Sequence, residues 1–134
     1  MSPTLTFDIE TIPDVAGIRI LKNTDDKVSD AAVAAMAFKE RLEKTGSEFL
    51  PLHLHRVVAI SCVLRSNEGI RVWSLGGVDD TEAALVQRFF DGIEKFTPQI
   101  ISWNGGGFDL PVLHYRGLLS GVNAPRYWDM GEDD

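Results

Sequence analysis

Apolar and polar residues alternate at the start of the chain, in residues 4–11 (TLTFDIET). Alternation with a period of two predicts a β-strand, because successive side chains of a strand point to opposite faces. Phe7 and Ile9 then face a core, and Asp8 and Glu10 share the other face, roughly 7 Å apart along the strand. The pattern therefore predicts a first strand that carries two acids on one face.

Further along, helical and strand spacing follow each other several times. Helices are predicted over 15–21, over 31–44 after a cap at Ser29 or Asp30, from Asp80 or Thr81 to about Lys95, and over 110–119. Strands are predicted over 57–64, 70–75 and 100–103, with a hairpin turn at 66–69. The third helix carries an apolar stripe that we interpret as core: Leu85, Val86, Phe89, Phe90, Ile93 and Phe96.

The order of these elements predicts an α/β fold, with a mixed sheet flanked by helices. Residues 57–64 are nearly all apolar, which favours a central strand. The first strand is expected between the hairpin and the 100–103 strand. It should run parallel to the latter, since an amphipathic helix precedes that strand. Residues 12–55, approximately, form a helical excursion within a single domain that spans 1–134.

Composition supports one ordinary globular domain, because 134 residues with 44% hydrophobic and 25% charged positions suffice for a single core. Cys62 is the one cysteine, so no internal disulfide is possible; it is expected in the core and fits a reducing cytoplasm. No apolar run reaches the roughly 20 residues of a membrane span, and the start lacks a signal-peptide pattern. We therefore expect a cytoplasmic protein without a membrane partner.

The net charge of −7 argues against a protein that coats nucleic acid by electrostatic attraction. It leaves open an enzyme that handles one phosphate through bound metal ions. Part of the acidity would then be the metal site itself.

A candidate site follows from the predicted topology, because ligand sites in such sheets gather at the carboxyl ends of adjacent strands. Asp8 and Glu10 lie at one such end, and residues 104–109 (NGGGFD) follow the other. Asn104 and Asp109 are thereby brought to the same edge, with Asp109 near the N-cap of the last helix. Carboxylate oxygens are the ligands that Mg²⁺ and Mn²⁺ select, and a cation relieves the repulsion between like charges.

Simpler interpretations exist for each part of this pattern. Asp-x-Glu is common, and two acids at a strand end can both be solvated. His53 and His55 invite a metal interpretation, but no cysteine pair or third nearby histidine supports it. Polar surface, or contact with a substrate phosphate, explains them better. The triple glycine is not a phosphate-binding P-loop, because the required Lys-Ser/Thr is absent.

Two stretches resemble the motifs of a known family. FDIET at 7–11 resembles the first motif of the DEDD 3′–5′ exonucleases. WNGGGFDLPVL at 103–113 resembles their second motif, in a form closest to the proofreading domains of family-B DNA polymerases. From about Thr4 to Leu119 the chain resembles a stand-alone bacterial family of predicted exonucleases related to those domains. The resemblance implies an RNase H-like fold.

The resemblance also implies an activity: removal of nucleotides from a single-stranded nucleic-acid 3′ end, with DNA the expected substrate. The chemistry would be phosphodiester hydrolysis with two Mg²⁺ or Mn²⁺ ions. Asp8 would bridge the two ions and Glu10 would help bind one. Asp109 would serve the second ion through water.

The implied substrate contacts come from three further positions. Thr11, through its backbone, and Asn104 would position the terminal nucleotide. Phe108 either packs against that nucleotide or is a core residue turned inward.

One required part of the family pattern is missing. The family needs a later aspartate, four residues after a tyrosine or five after a histidine, and no such pair exists in this chain. No final strand and helix are predicted after Gly121 either. We therefore expect a C-terminally truncated domain that is weak or inactive. Its exposed apolar face would favour a homodimer.

Two other classes of function stay open. A non-catalytic RNase H-like module could bind nucleic acid or protein and keep the acids without using them. An RNase H-like nuclease could instead cut internally. The Asn-x-x-x-Phe-Asp spacing at 104–109 argues against the second of these.

Overall fold

The structure, a computed structural model, describes residues 2–101 and 105–124. None of the helices in these ranges is long and apolar enough to cross a membrane. The elements, in chain order, are β1 (Thr4–Pro13), α1 (Val15–Lys22), α2 (Asp30–Thr45), a 3₁₀ turn (Leu52–Leu54), β2 (His55–Ser66), β3 (Gly69–Leu75), α3 (Glu82–Phe96), β4 (Gln99–Ile101), a π-helical turn (Gly105–Asp109) and α4 (Leu110–Ser120).

The four strands form one mixed sheet in the order β3-β2-β1-β4. β1 runs parallel to β4, with Thr6 opposite Ile101, and β2 runs antiparallel to β3, with Ile60 opposite Leu75. The predicted α/β class and the predicted place of the first strand are confirmed. The arrangement is consistent with the RNase H-like fold that the resemblance implies. Of the strand predicted over 100–103, residues 102 and 103 lie outside the described ranges.

The chain divides into two compact units, residues 1–11 with 57–134, and residues 12–56. In the first unit α3 packs against α4. The rings of Phe7 on β1 and Phe89 on α3 lie 4.9 Å apart between centroids. The interpretation of the α3 stripe as core is confirmed, since five of its members are buried: Leu85, Val86, Phe89, Phe90 and Ile93.

The second unit consists mainly of α1 and α2, which pack around a small core of Ile18, Val33 and Leu50. Ser29 caps α2, because its side chain accepts a hydrogen bond from the backbone N–H of Ala32. Gly46 ends α2 in a left-handed conformation at φ 80°, as a C-terminal glycine is expected to do. Both ends of this helix thus lie within one residue of the predicted range 31–44.

Gly76 follows β3 and allows the chain to turn away from the sheet. Its φ of 107° is strained for any residue with a side chain, and a Cβ there would collide with the carbonyl oxygen of Val58. The passage from the hairpin towards α3 therefore requires glycine at this position.

Candidate functional site

Asp8 and Glu10 lie on the exposed face of β1. Burial alternates along the strand, so that Leu5, Phe7 and Ile9 are buried while Asp8 and Glu10 are exposed. The predicted division of the strand into an apolar and an acidic face is confirmed. Only one face of the strand is buried, however, so the two like charges are hydrated.

The pairing of β1 with β4 brings the carboxyl ends of two strands to one edge of the sheet. Thr6 pairs with Ile101, the last residue of β4, and Asp8 lies two residues beyond that pair. Both strands run in the same direction, so the carboxyl end of β4 at Ile101 lies at the edge towards which β1 continues through Asp8 and Glu10. Asn104 belongs to this segment and lies outside the described residues.

The glycine-rich stretch forms a π-helical turn over Gly105–Asp109, which continues directly into α4. Single π turns within helices are frequent at functional sites. Phe108 is half-buried and Asp109 is 5% exposed. Because Asp109 is buried, its carboxylate must be compensated by polar neighbours or by a cation.

Asp109 precedes α4 as predicted, but it does not cap the helix. Its backbone is helical, with φ −59° and ψ −52°, and its side chain makes no capping hydrogen bond. A capping residue normally has an extended backbone, which directs its side chain back to the first free N–H groups. Since helical structure begins upstream at Gly105, Asp109 is a residue within a longer helical run.

The three predicted carboxylates, Asp8, Glu10 and Asp109, are not gathered into a ready metal site. Over 2–101 and 105–124, no group of three or more His, Cys, Asp or Glu side chains is arranged to hold a metal ion. Thr11 is half-buried next to Glu10. Asp8, Glu10 and Asp109 thus stay predicted metal ligands, the first two on β1 and the third directly before α4.

A buried ion pair, which no sequence pattern predicted, joins α3 to α4. Arg116 donates from Nε to Glu82 Oε2 at 2.9 Å and from Nη2 to Glu82 Oε1 at 2.6 Å. The side chains are 7% and 10% exposed, respectively. Glu82 Oε2 also accepts a hydrogen bond from the backbone N–H of Val57 at 2.7 Å.

This ion pair ties α4, which begins directly after Asp109, to α3 and to strand β2. Glu82 alone has the sequence signature of an acid in the first turn of a helix, which is common. The two residues are 34 positions apart, and no periodic pattern links them. A single amino-acid sequence therefore contains no pattern that predicts this pair.

The two histidines have different surroundings within the 12–56 unit. His55 is half-buried and donates from Nε2 to the carbonyl oxygen of Leu50 at 3.1 Å. Its ring packs against Phe49 in a tilted arrangement, with ring centroids 4.9 Å apart. Burial lowers the pKa of His55, and the hydrogen bond to Leu50 partly offsets this effect. His53 is exposed. These contacts assign His55 a packing role.

The chain matches the model of a known protein family. The model of a family described as predicted 3′–5′ exonuclease related to the exonuclease domain of PolB matches residues 47–134. The matched region contains Phe108 and Asp109 but not Asp8 and Glu10. No curated protein matches the chain.

Proposed function

Since the chain belongs to the family of predicted 3′–5′ exonucleases related to the exonuclease domain of PolB, we propose that its function is that of a metal-dependent 3′–5′ exonuclease. The reaction is hydrolysis of the terminal phosphodiester at a single-stranded 3′ end, with DNA as the substrate. The family match over residues 47–134 is the observation that carries this proposal. The FDIET motif at 7–11 supplies the acids that lie outside the matched region.

Asp8, Glu10 and Asp109 are the proposed metal ligands, and their chemistry fits Mg²⁺ or Mn²⁺, which select carboxylate oxygens. The exposed face of β1 gives hydrated ions access to Asp8 and Glu10. When bound, two such ions would supply a hydroxide nucleophile and neutralise charge on the phosphate. Asp109, which is buried, would act through a water molecule that it orients.

Thr11, Asn104 and Phe108 are the proposed substrate contacts. The backbone near Thr11 and the amide of Asn104 would hold the terminal nucleotide. The half-buried ring of Phe108 leaves part of its surface for packing against a base. The unit formed by residues 1–11 and 57–134 carries the whole net charge of −7. A phosphate could therefore approach the acids only with cations bound there.

We expect weak turnover, or none, from these 134 residues, because no aspartate stands at the family's spacing from a tyrosine or histidine. The first test is calorimetric titration of Mn²⁺ into the chain, into Asp8→Ala and into Asp79→Ala. Asp79 is an exposed acid of the same unit and serves as the matched control. Binding should weaken by about tenfold or more in Asp8→Ala, which corresponds to about 1.4 kcal/mol. It should be unchanged in Asp79→Ala.

Activity is tested with end-labelled and circular single-stranded DNA in the presence of Mn²⁺. An exonuclease degrades the linear strand from its 3′ end and leaves the circle intact. Cleavage of the circle would contradict the proposal and favour an internally cutting nuclease. Robust degradation of the linear strand would instead contradict the expected weakness of this chain.

A non-catalytic module that binds nucleic acid or protein is the second candidate. Within these 134 residues, the lack of an aspartate at the family's spacing from a tyrosine or histidine favours this candidate. Such a module would bind single-stranded DNA in the absence of metal, and a chain extended past Asp134 would gain no nuclease activity.

We further propose that the protein works in the cytoplasm, where its buried free thiol, Cys62, stays reduced.

A homodimer is the remaining proposal. Val63 and Val72 are opposite each other on β2 and β3, and Ile70 lies on the same face. These three side chains are exposed and define an apolar patch on the hairpin. Apolar patches of this kind are candidate contact surfaces.

A further inference from the structure

The 12–56 unit contains a cavity of about 340 Å³ between α1, α2 and residues 50–54. Its wall is largely apolar and includes Ile18, Leu21, Leu50 and Leu54. Small-molecule sites typically have volumes of this order, apolar walls and a few polar groups that fix the orientation of the ligand. The cavity therefore has the size and lining of a small-ligand site.

Charged side chains are concentrated along the same cavity. Lys22 and Lys44 both donate to Oε1 of Glu40, at 2.6 and 2.9 Å. Arg41 also lines the cavity, and its Nε donates to the carbonyl oxygen of Phe49 at 3.0 Å, which holds the guanidinium in place. The two lysines hold the pKa of Glu40 at about 2, so this carboxylate is ionised at every working pH.

Three cations and one carboxylate leave two net positive charges at the cavity. The 12–56 unit as a whole carries seven basic and seven acidic residues, so this local excess is a property of the cavity. Lys22 and Lys44 are 49% and 67% exposed, so both ammonium groups can reorient towards a ligand. The cavity thus combines apolar walls with a doubly cationic rim.

We propose that this cavity binds a nucleoside 5′-monophosphate, with the base against the apolar wall and the phosphate at Lys22, Arg41 and Lys44. A phosphomonoester carries about −1.5 to −2 charges at pH 7, which matches the rim. A carboxylate or an internal phosphodiester carries only one. The choice of a nucleotide rests on the proposed function, because a 3′–5′ exonuclease releases nucleoside 5′-monophosphates.

The test is calorimetric titration of adenosine 5′-monophosphate at low salt in the presence of EDTA, so that no metal-bound phosphate contributes. Lys44→Met should weaken binding by about fivefold, because it removes a positive charge from the rim. Glu40→Gln should tighten binding by about threefold, because it removes the negative charge that opposes the phosphate. Lys39→Met, on the exposed side of the same helix and outside the cavity lining, is the matched control and should leave affinity unchanged. Adenosine without the phosphate should bind at least about tenfold more weakly.

Equal binding of adenosine and its monophosphate, or equal effects of Lys39→Met and Lys44→Met, would overturn the proposal. A strand end carries the same chemical group, so 5′-phosphorylated and 5′-hydroxyl oligonucleotides form the second arm. Binding of the phosphorylated oligonucleotide without binding of the free nucleotide overturns it as well. The far-ultraviolet circular dichroism of each variant verifies that α1 and α2 remain folded.

The outcome is separable from that of the nuclease proposal. Nucleotide binding with the expected charge dependence, but no Mn²⁺ binding at Asp8, would support the cavity and leave the nuclease without a metal site. Mn²⁺-dependent degradation by a chain that does not bind the nucleotide would overturn the cavity proposal alone.

Discussion

At the scale of single residues, the thiol of Cys62 shows how strongly surroundings determine chemistry. Cys62 lies on β2 with its side chain in the core and is 1% exposed. Burial raises its pKa to about 11, because the thiolate would lose its hydration there. The thiolate is the reactive form of cysteine, so the folded protein presents no reactive cysteine.

We predict that Cys62 reacts with a thiol reagent such as Ellman's reagent only after unfolding. At pH 8 the native chain should react at least about a hundredfold more slowly than the chain in urea, since both access and thiolate fraction are low. The chain contains one cysteine, so the signal has a single source. Rapid reaction of the native chain would show that the thiol is accessible.

The same shift predicts the direction of a pH effect on stability. The folded pKa of about 11 exceeds that of an unfolded cysteine, so the unfolded state loses its proton first as pH rises. Stability should therefore fall from about pH 9 towards pH 11. Urea titrations of the chain and of Cys62→Val isolate this contribution, because the valine variant lacks the titrating group.

Residue-level prediction from the sequence succeeded where one short-range rule decides the outcome. The alternation that buries Phe7 and exposes Asp8 follows from strand geometry alone. The predicted position of Asp109 at the start of the last helix is confirmed, but its side chain makes no capping hydrogen bond, because helical structure already begins at Gly105. Local propensity gives no warning of a π turn built on three glycines.

At the scale of elements, the buried pair of Glu82 and Arg116 connects α3, α4 and β2. We predict that Glu82→Ala lowers the free energy of unfolding by about 3–5 kcal/mol, because it leaves a buried guanidinium without its partner. Glu68→Ala is the control, since Glu68 pairs with Arg71 at 3.6 Å on the exposed hairpin. It should change stability by less than about 1 kcal/mol. Urea denaturation measures both.

The double variant Glu82→Leu/Arg116→Met should recover much of the loss, because replacing both charges removes the uncompensated one. If Glu82→Ala lowered the free energy of unfolding no more than Glu68→Ala, the pair would not be the link that its geometry indicates.

The elements themselves were largely predictable from the sequence, since caps, glycine stops and apolar stripes act within a few residues. This link was not, because its two ends are 34 residues apart.

At the scale of the whole molecule, charge is distributed unevenly between the two units. Residues 12–56 are neutral overall, and residues 1–11 with 57–134 carry the net charge of −7. The sequence could predict which strands meet at one edge, because topology follows from element order. It could not predict how closely Asp109 approaches Asp8 and Glu10, since that depends on side-chain positions in two separate segments.

Added salt should promote self-association, because the net charge of −7 opposes it. Contact through the apolar patch of Val63, Ile70 and Val72 is opposed by repulsion between two chains of charge −7 each. Added salt screens that repulsion over a Debye length of about 10 Å at 0.1 M and leaves apolar contact intact. Sedimentation velocity should therefore show monomer at low salt and a growing dimer fraction towards 0.5 M, an ionic strength at which screening is roughly complete.

Val72→Lys should abolish the dimer at every salt concentration, because it places a charge in the centre of the patch. Val78→Lys adds the same charge on a fully exposed loop outside the patch and should leave the salt dependence unchanged. A dimer that weakens with salt would instead indicate an interface held by ion pairs. The apolar patch on β2 and β3 would then not be the contact surface.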